Sequence, residues 1–479
     1  MYRNKLKIMK RVLALVVLLA AAEMAGAQQV LSLKQCIETA IQNNIDVLQM
    51  TNSADRSAVD KNQTKMNQLP DLNAAIAPGV SMGRSIDPFT NTYTDQKINS
   101  TSFGVNSGVV LFNGLSMRSS VKQTAAAFNA AKAGVQQQMD NIKIAVILAY
   151  LQALSFKEQI TQASKQFDLS SEQVKRMQVL DNEGAVKPYE LSDLKGQVAN
   201  DQLSIISLKN NESISLVDLC RLMNVPYQPG LQVEPLNTDS LLVEYSVEKS
   251  GLYQTALQNL AQFKSLDYAE QAAGWAVKAQ RGRLFPTLRF DANVNTYYSS
   301  AATSNVLTAS GVNASNDYVI IGGQNVPVYK PFSNYTAKHI ANFDQFKNNR
   351  YTSFNLTLAI PILNNFRVRN NIKLAKIDLK EAQQQTASAK TQLQLDIEQA
   401  NQNLTTASDR YKTLLQQTKD YEQSFKAATV RFNEGVGNSI DYLTSKNNLD
   451  RANSNLIAAR YDFVLRTKIL DFYQAKPLW

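Results

Sequence analysis

The sequence predicts an α+β membrane protein, a tandem repeat in which long coiled-coil helices alternate with β-hairpins. Three observations carry that prediction. The chain matches itself at fixed offsets; two long stretches lack proline and nearly lack glycine; and two pairs of segments alternate apolar and polar side chains with a period of two.

The repeat is clearest at a glycine turn. Asn182 Glu183 Gly184 recurs 251 positions later as Asn433 Glu434 Gly435, and an acidic residue follows six places after each glycine, Glu190 and Asp441. The same offset lays Val110 Leu111 Phe112 Asn113 Gly114 on Pro361 Ile362 Leu363 Asn364 Asn365, Ala149 on Ala400 and Lys195 on Lys446. Upstream the offset is 216: Ala40 Ile41 Gln42 Asn43 answers Ala256 Leu257 Gln258 Asn259, and Leu69 Pro70 Asp71 Leu72 answers Phe285 Pro286 Thr287 Leu288. The 35 extra residues must enter between Pro286 and Pro361, so copy two carries one longer loop there.

Residues 1–27 read as an export signal. Arg3, Lys5, Lys7, Lys10 and Arg11 precede the apolar run Val12 to Ala22, and Ala25 Gly26 Ala27 offers small residues for cleavage before Gln28. The run is shorter than the ~20 residues of a helical span. Removing the segment lowers the formal charge from +10 to +6. That charge is spread without basic blocks, which argues against a nucleic-acid partner. Cys36 and Cys220 are too few for a disulfide framework and read as packing residues. Repeat 1 then spans 28–225 with a hairpin at about 71–112, a Pro-containing linker 226–250 follows, repeat 2 spans 251–474 with a hairpin at about 287–361, and 475–479 is a tail.

No proline occurs from Thr90 to Lys187 or from Ile362 to Lys476, and Gly435 and Gly437 are the only glycines of the second stretch. Each stretch reads as a helix, a tight turn and a second helix. Leu115 to Asp181 alone is about 100 Å of helix at 1.5 Å per residue. Tyr442, Leu449, Leu456, Phe463 and Leu470 recur every seven residues with Ala452 and Ala459 between, and Leu191, Val198 and Ile205 take the matching places in copy one. The seam is narrow and its flanks are polar, which suits the wall of a hollow tube. No apolar run after the signal is expected to make a membrane-spanning helix, so a span must be built of strands.

In copy two Leu288, Phe290, Ala292, Val294, Thr296 and Tyr298 alternate with Arg289, Asp291, Asn293 and Asn295, and the return strand alternates likewise through Phe354, Leu356, Leu358 and Ile360. Copy one is weaker, with Leu72, Ala74 and Ile76 going out and Phe103, Val105, Val109 and Leu111 returning. The pattern fits a membrane barrel with a wet interior and equally a half-buried soluble sheet; the export signal favours the barrel. Ser300 to Arg350 and Met82 to Ser100 are expected as outer loops.

Catalytic and cofactor signals are missing. His339 is the only histidine and has no Cys or carboxylate at ligand spacing. Neither a Gly-x-Ser-x-Gly elbow nor a phosphate-cradling glycine loop occurs, so no enzyme and no cofactor are expected. Four strands cannot close a barrel, since the smallest membrane barrels have about 8. Open edges are not tolerated in lipid, so if the hairpins enter the membrane several chains must share one wall.

The ordered set Leu31 to Ala40 with Asn43 Asn44, Leu69 to Leu72, Leu111 to Gly114, Ala149 Tyr150, the turn at Gly184, Pro361 Ile362 Leu363 and the turn at Gly435 resembles the TolC-like outer membrane efflux protein family over essentially the whole mature chain. The resemblance implies a homotrimer with a 12-stranded outer membrane β-barrel continuous with a periplasmic α-helical barrel, docked on a periplasmic adaptor and an inner membrane transporter. It implies that Asp441 and Glu190 narrow the periplasmic entrance, that Arg431 and Phe432 help hold it shut, and that adaptor tips meet the turns at Gly184 and Gly435. Thr444 and Gly437 stand where the family often has a carboxylate and a basic residue, so a less charged entrance is expected. Ordinary helix chemistry also explains these residues: acidic first turns complement the dipole, and glycines cap helix ends. The expected function is the exit duct of a tripartite pump for small toxic compounds. A protein-secretion duct and a soluble periplasmic coiled-coil protein are the alternatives.

Overall fold

The computed structural model describes residues 30–86, 91–95, 97–184, 187–238 and 249–478. The expected signal 1–27, most of the linker's second half (239–248) and Trp479 lie outside the described residues.

The helices follow the two offsets. In copy one, α1 (Leu33–Asn43) and α2 (Ile45–Met66) precede the strands; in copy two, α5 (Lys249–Asn259) and α6 (Ala261–Gly282) do, and each pair is 11 and 22 residues long. Every boundary in these pairs differs by 216. The long helices α3 (Ser116–Asn182) and α8 (Arg367–Asn433) are both 67 residues, 251 apart. After the turns come α4 (Pro188–Met223) and α9 (Ser439–Tyr473). At the start of α1 the Ser32 hydroxyl accepts from the Gln35 N–H and the Gln35 side chain accepts from the Ser32 N–H, a reciprocal cap that fixes the first turn.

Between the helices stand β2 (Asn73–Ser81), β5 (Ile98–Asn113), β7 (Thr287–Ser299) and β10 (Tyr351–Ala359), forming one antiparallel sheet in the order β10-β7-β5-β2. The register pairs Leu288 with Leu358, Phe290 with Leu356 and Ala292 with Phe354, so the alternating apolar residues share one face. Phe290 and Phe354 stack at 6.3 Å. That face is bare: Phe354, Leu356 and Leu358 are all exposed. Strand β5 carries a bulge between Val110 and Phe112.

The stretch Ser300 to Arg350, expected as a loop, is instead ordered. It holds a second hairpin, β8 (Thr303–Ile321) with β9 (Gln324–His339), followed by the short α7 (Asn342–Asn348). The hairpin accounts for the extra length of copy two; copy one has only the short pair β3 (Arg84–Ile86) and β4 (Tyr93–Asp95). Polar residues hid its period, because Ser and Asn interrupt the apolar alternation. Phe346 of α7 meets Phe103 edge-on at 4.7 Å, and the buried Gln345 accepts from the Ser299 N–H at 2.9 Å.

The chain has two compact units, and they are not the two repeats. Of the described residues, one holds 30–59, those within 125–272, and 379–478; the other holds those within 60–124 and 273–378. In the first unit the core is itself duplicated. Cys36, Ala40, Val47, Ile142, Val146 and Ala149 are buried around α1 and α3, and their offset partners Leu252, Ala256, Phe263, Leu393, Ile397 and Ala400 are buried around α5 and α8. Contrary to the sequence expectation, α3 contains a stretch apolar enough to cross a membrane by composition, and half of it is buried. Val146, Ile147, Tyr150 and Leu151 explain that burial, since they are core side chains. The Tyr150 hydroxyl lies 3.0 Å from the Leu31 carbonyl and 2.8 Å from that of Glu234, where β1 (Val30–Leu31) pairs in parallel with β6 (Gln232–Val233). Burial pushes the Cys36 thiol up to about 12, so it behaves as a packing group.

In the second unit the strand-to-helix junctions are duplicated too. Gly114 and Leu115 have φ of 63° and 63°, and their offset partners Asn365 and Phe366 have 52° and 58°. Two successive left-handed residues turn each strand into its helix. At Gly282 a Cβ would sit 2.7 Å from the Gly114 carbonyl oxygen, so α6 meets this junction backbone to backbone.

Candidate functional site

The site expected from sequence is the pair of helical turns with the first residues after them. At the second turn α8 ends in a left-handed glycine, Gly435 with φ 72°. The N–H groups of Val436 and Gly437 both donate to the Arg431 carbonyl, at 3.0 and 2.9 Å, so the last carbonyls of the helix are satisfied within the turn. Asn438 then caps α9 by accepting from the Asp441 N–H at 2.8 Å. Asp441 is therefore a first-turn residue with an exposed side chain, and Asn438 does the capping. At the first turn Gly184 has φ 70°, Pro188 opens α4, and Glu190 lies half-buried in its first turn. A Cβ on Gly184 or Gly435 would touch nothing within 4 Å, so conformation rather than crowding selects glycine there.

Arg431 and Phe432 are adjacent but differ in setting. Arg431 is exposed, whereas Phe432 is buried with Met177, Leu191, Leu194 and Tyr442. Its ring stacks on Tyr442 at 4.9 Å, and Phe425 approaches Tyr442 at 5.5 Å. Phe432 thus joins helices of both copies, which the exposed-helix-end explanation does not anticipate. Polar bonds reinforce the joint. Gln173 donates to the Asn433 side chain at 3.0 Å, Arg176 to the Asn433 carbonyl at 3.1 Å, and Ser439 to Asp193 at 3.1 Å.

One cluster beside the turns escaped the sequence reading. Lys446 is fully buried, and its ammonium donates to Asp201 at 2.9 and 3.1 Å and to Asp450 at 2.6 Å. Asp201 also accepts from Gln197 at 2.7 Å and from Ser170 at 2.6 Å, so its carboxylate ties α3, α4 and α9 together. Burial raises Asp450 above the usual carboxylate range while Lys446 opposes the shift. Burial, helped by the nearby Asp450 and Asp201 charges, pushes Tyr442 up to about 12. The available signal was a lysine placed between Tyr442 and Leu449 on the seam, four residues before an aspartate. Its repeat partner Lys195 is exposed, so homology between the copies did not point to burial.

Among the described residues no group of three His, Cys, Asp or Glu side chains is placed to hold a metal. The arrangement offers hydrogen-bonded and ionic ties between helices, together with exposed charge near the turns.

The profile of outer membrane efflux proteins (OEP) matches residues 36–225 and 252–470. A comparison with curated proteins found no match. Solved structures share the fold throughout. A crystal structure of CusC, reported for conformational changes accompanying folding and transmembrane channel formation, aligns with a TM-score of 0.73 at 15% identity over 93% of this chain and 92% of that one. The open state of the Neisseria gonorrhoeae MtrE outer membrane channel gives 0.71 at 16% identity over 92% and 88%. The outer membrane protein VceC of Vibrio cholerae gives 0.70 at 14% identity over 93% and 97%.

Proposed function

The chain belongs to the outer membrane efflux protein family, and from that membership we propose that three copies close one duct leading from the periplasm through the outer membrane. The family is one of channels rather than of enzymes, and its members reside in the outer membrane and extend into the periplasm. The observation that carries the reading is the four-stranded sheet with two unpaired edges, β2 and β10, and a bare apolar face. Lipid tolerates neither open edges nor a lone sheet. Three copies in rotation, β10 of each beside β2 of the next, give a 12-stranded barrel of a size usual for such proteins.

In this reading the long helices of three copies form the periplasmic tube. Glu190, Asp441 and Arg431 set the charge of its entrance, and Phe432 holds the entrance by packing the helices of the two repeats together. A periplasmic adaptor meets the turns at Gly184 and Gly435, and an inner membrane transporter supplies the energy. Passage is passive, and small toxic compounds are the cargo.

Particle averaging of the protein in mild detergent tests the assembly. A threefold particle with about 100 Å of helical wall below a detergent belt is expected; a belt-free monomer would overturn it. Deleting the gene tests the cargo: sensitivity to small toxic compounds should rise while secreted proteins remain unchanged. The reverse pattern would assign the duct to protein secretion.

A further inference from the structure

The strand register sets Asn113, Thr287 and Ala359 side by side at one end of the sheet. Just beyond that row α3 and α8 begin and α6 ends, all within the unit that holds the sheet. On α3, α6 and α8 the charge near this row is of one sign, whereas in copy one Asp60 and Asp71 take the places of Ala276 and Thr287. The sequence has no carboxylate between Asp95 and Asp140, between Glu270 and Asp291, or between Asp344 and Asp378. The same windows place Arg118 and Lys122 on α3, Lys278 and Arg281 on α6 with Arg283 following it, and Arg367 and Arg369 on α8, all exposed.

Local helix stability does not explain this pattern. Arg118, Arg367 and Arg369 lie in the first turns of α3 and α8, where the dipole favours acidic residues, and neither first turn contains one. Among the described residues none of these cations has a carboxylate within ion-pair distance. Their charge is therefore open to a partner outside the chain. Trp275 lies among them, with the Lys122 and Lys278 ammonium groups 4.2 and 3.9 Å from its ring. Between the cations and the strands sit bare apolar side chains, Phe285, Ile362 at 93% and Leu363 at 80% exposure. Apolar side chains followed by basic ones is the order met on leaving a bilayer through its headgroups.

We propose that this belt is a docking surface for the phosphate headgroups of anionic phospholipid in the periplasmic leaflet of the outer membrane. The inference rests on the reading that the sheet enters the membrane. Near an anionic surface each basic side chain adds attraction that salt weakens.

The test uses the full chain in nanodiscs of phosphatidylcholine alone or mixed with phosphatidylglycerol, read as the helical unfolding midpoint by circular dichroism. Phosphatidylglycerol should raise the midpoint by several degrees, and high salt should remove the rise. Changing Arg281, Arg283, Arg367 and Arg369 together to Gln should abolish the rise, and changing them to Lys should keep it. Insertion with equal midpoints in both nanodiscs overturns the inference alone. A rise reproduced by inorganic phosphate over phosphatidylcholine overturns the lipid source. Failure to enter either nanodisc overturns the membrane reading and this inference with it.

Discussion

Lys446 is the residue on which the helix joint beside the turns depends most. Its ammonium is the only cation bonded to Asp201 among the described residues, and it also serves Asp450. Lys446→Met would leave two carboxylates in the packed interior without their cation, a change that costs about 3–5 kcal/mol in buried pairs. Urea unfolding at neutral pH should show it. The sign with pH follows from Asp450, whose carboxyl is raised by burial. A carboxyl raised by folding holds its proton more tightly in the folded chain, so the penalty is full above its folded pKa and falls as pH drops through that value. The deficit of the variant against wild type should therefore shrink on acidification. Phe432 is the apolar counterpart. Phe432→Ala removes a stacked, buried ring and should cost about 3–5 kcal/mol, whereas Arg431→Ala, exposed, should stay within about 0.5 kcal/mol of wild type. Equal effects from the two would show that Phe432 is not packed as described.

At the scale of elements, the paired helices are set by sequence alone to a degree unusual for their length. Ser116 and Arg367 open helices of 67 residues, and the turns that end them are glycines with positive φ. The junctions below the strands are different. Leu115 and Phe366 adopt left-handed conformations that bulky residues avoid, so the surrounding backbone must hold them there. The contact between Gly282 and Gly114 is part of that constraint. Gly282→Ala would drive a methyl group into backbone atoms, and overpacking of this kind costs about 1–3 kcal/mol. The same substitution at Gly274, where a Cβ meets nothing within 4 Å, should be neutral or stabilising by about 0.5–1 kcal/mol from helix propensity. Thermal unfolding of the two variants gives the comparison directly.

For the whole molecule the decisive feature is a sheet that cannot stand alone. Its apolar face carries Phe354, Leu356 and Leu358 in full view of the surroundings. On the barrel reading that face meets lipid, and Phe354→Arg near mid-membrane should cost about 2–4 kcal/mol. Folding into detergent micelles, followed by denaturant titration, measures it; no loss would place the face in water. The same chain in water would expose both that face and two strand edges, an arrangement prone to aggregate. Assembly and membrane insertion are thus expected to be coupled.

Sequence alone determined the duplication, its two offsets, the helix lengths, the glycine turns and the alternating strands, because each is a local periodicity or a matter of one residue's permitted φ and ψ. It also set Glu190, Asp441, Arg431 and the turn glycines beside the helix ends, since these lie near chain punctuation. The burial of Phe432 was not legible, because a helix end reads as exposed until a second helix covers it. Lys446 was missed for the same reason: its partner Asp201 lies 245 positions away, and only the meeting of α4 with α9 makes a lysine in a seam into a joint. The β8–β9 hairpin needed the ladder itself, as its polar strands carry no clear period. What tertiary structure alone decided was which distant residues share an interior, where the cost of an unpaired charge or a lost ring is set by the neighbours and not by the residue.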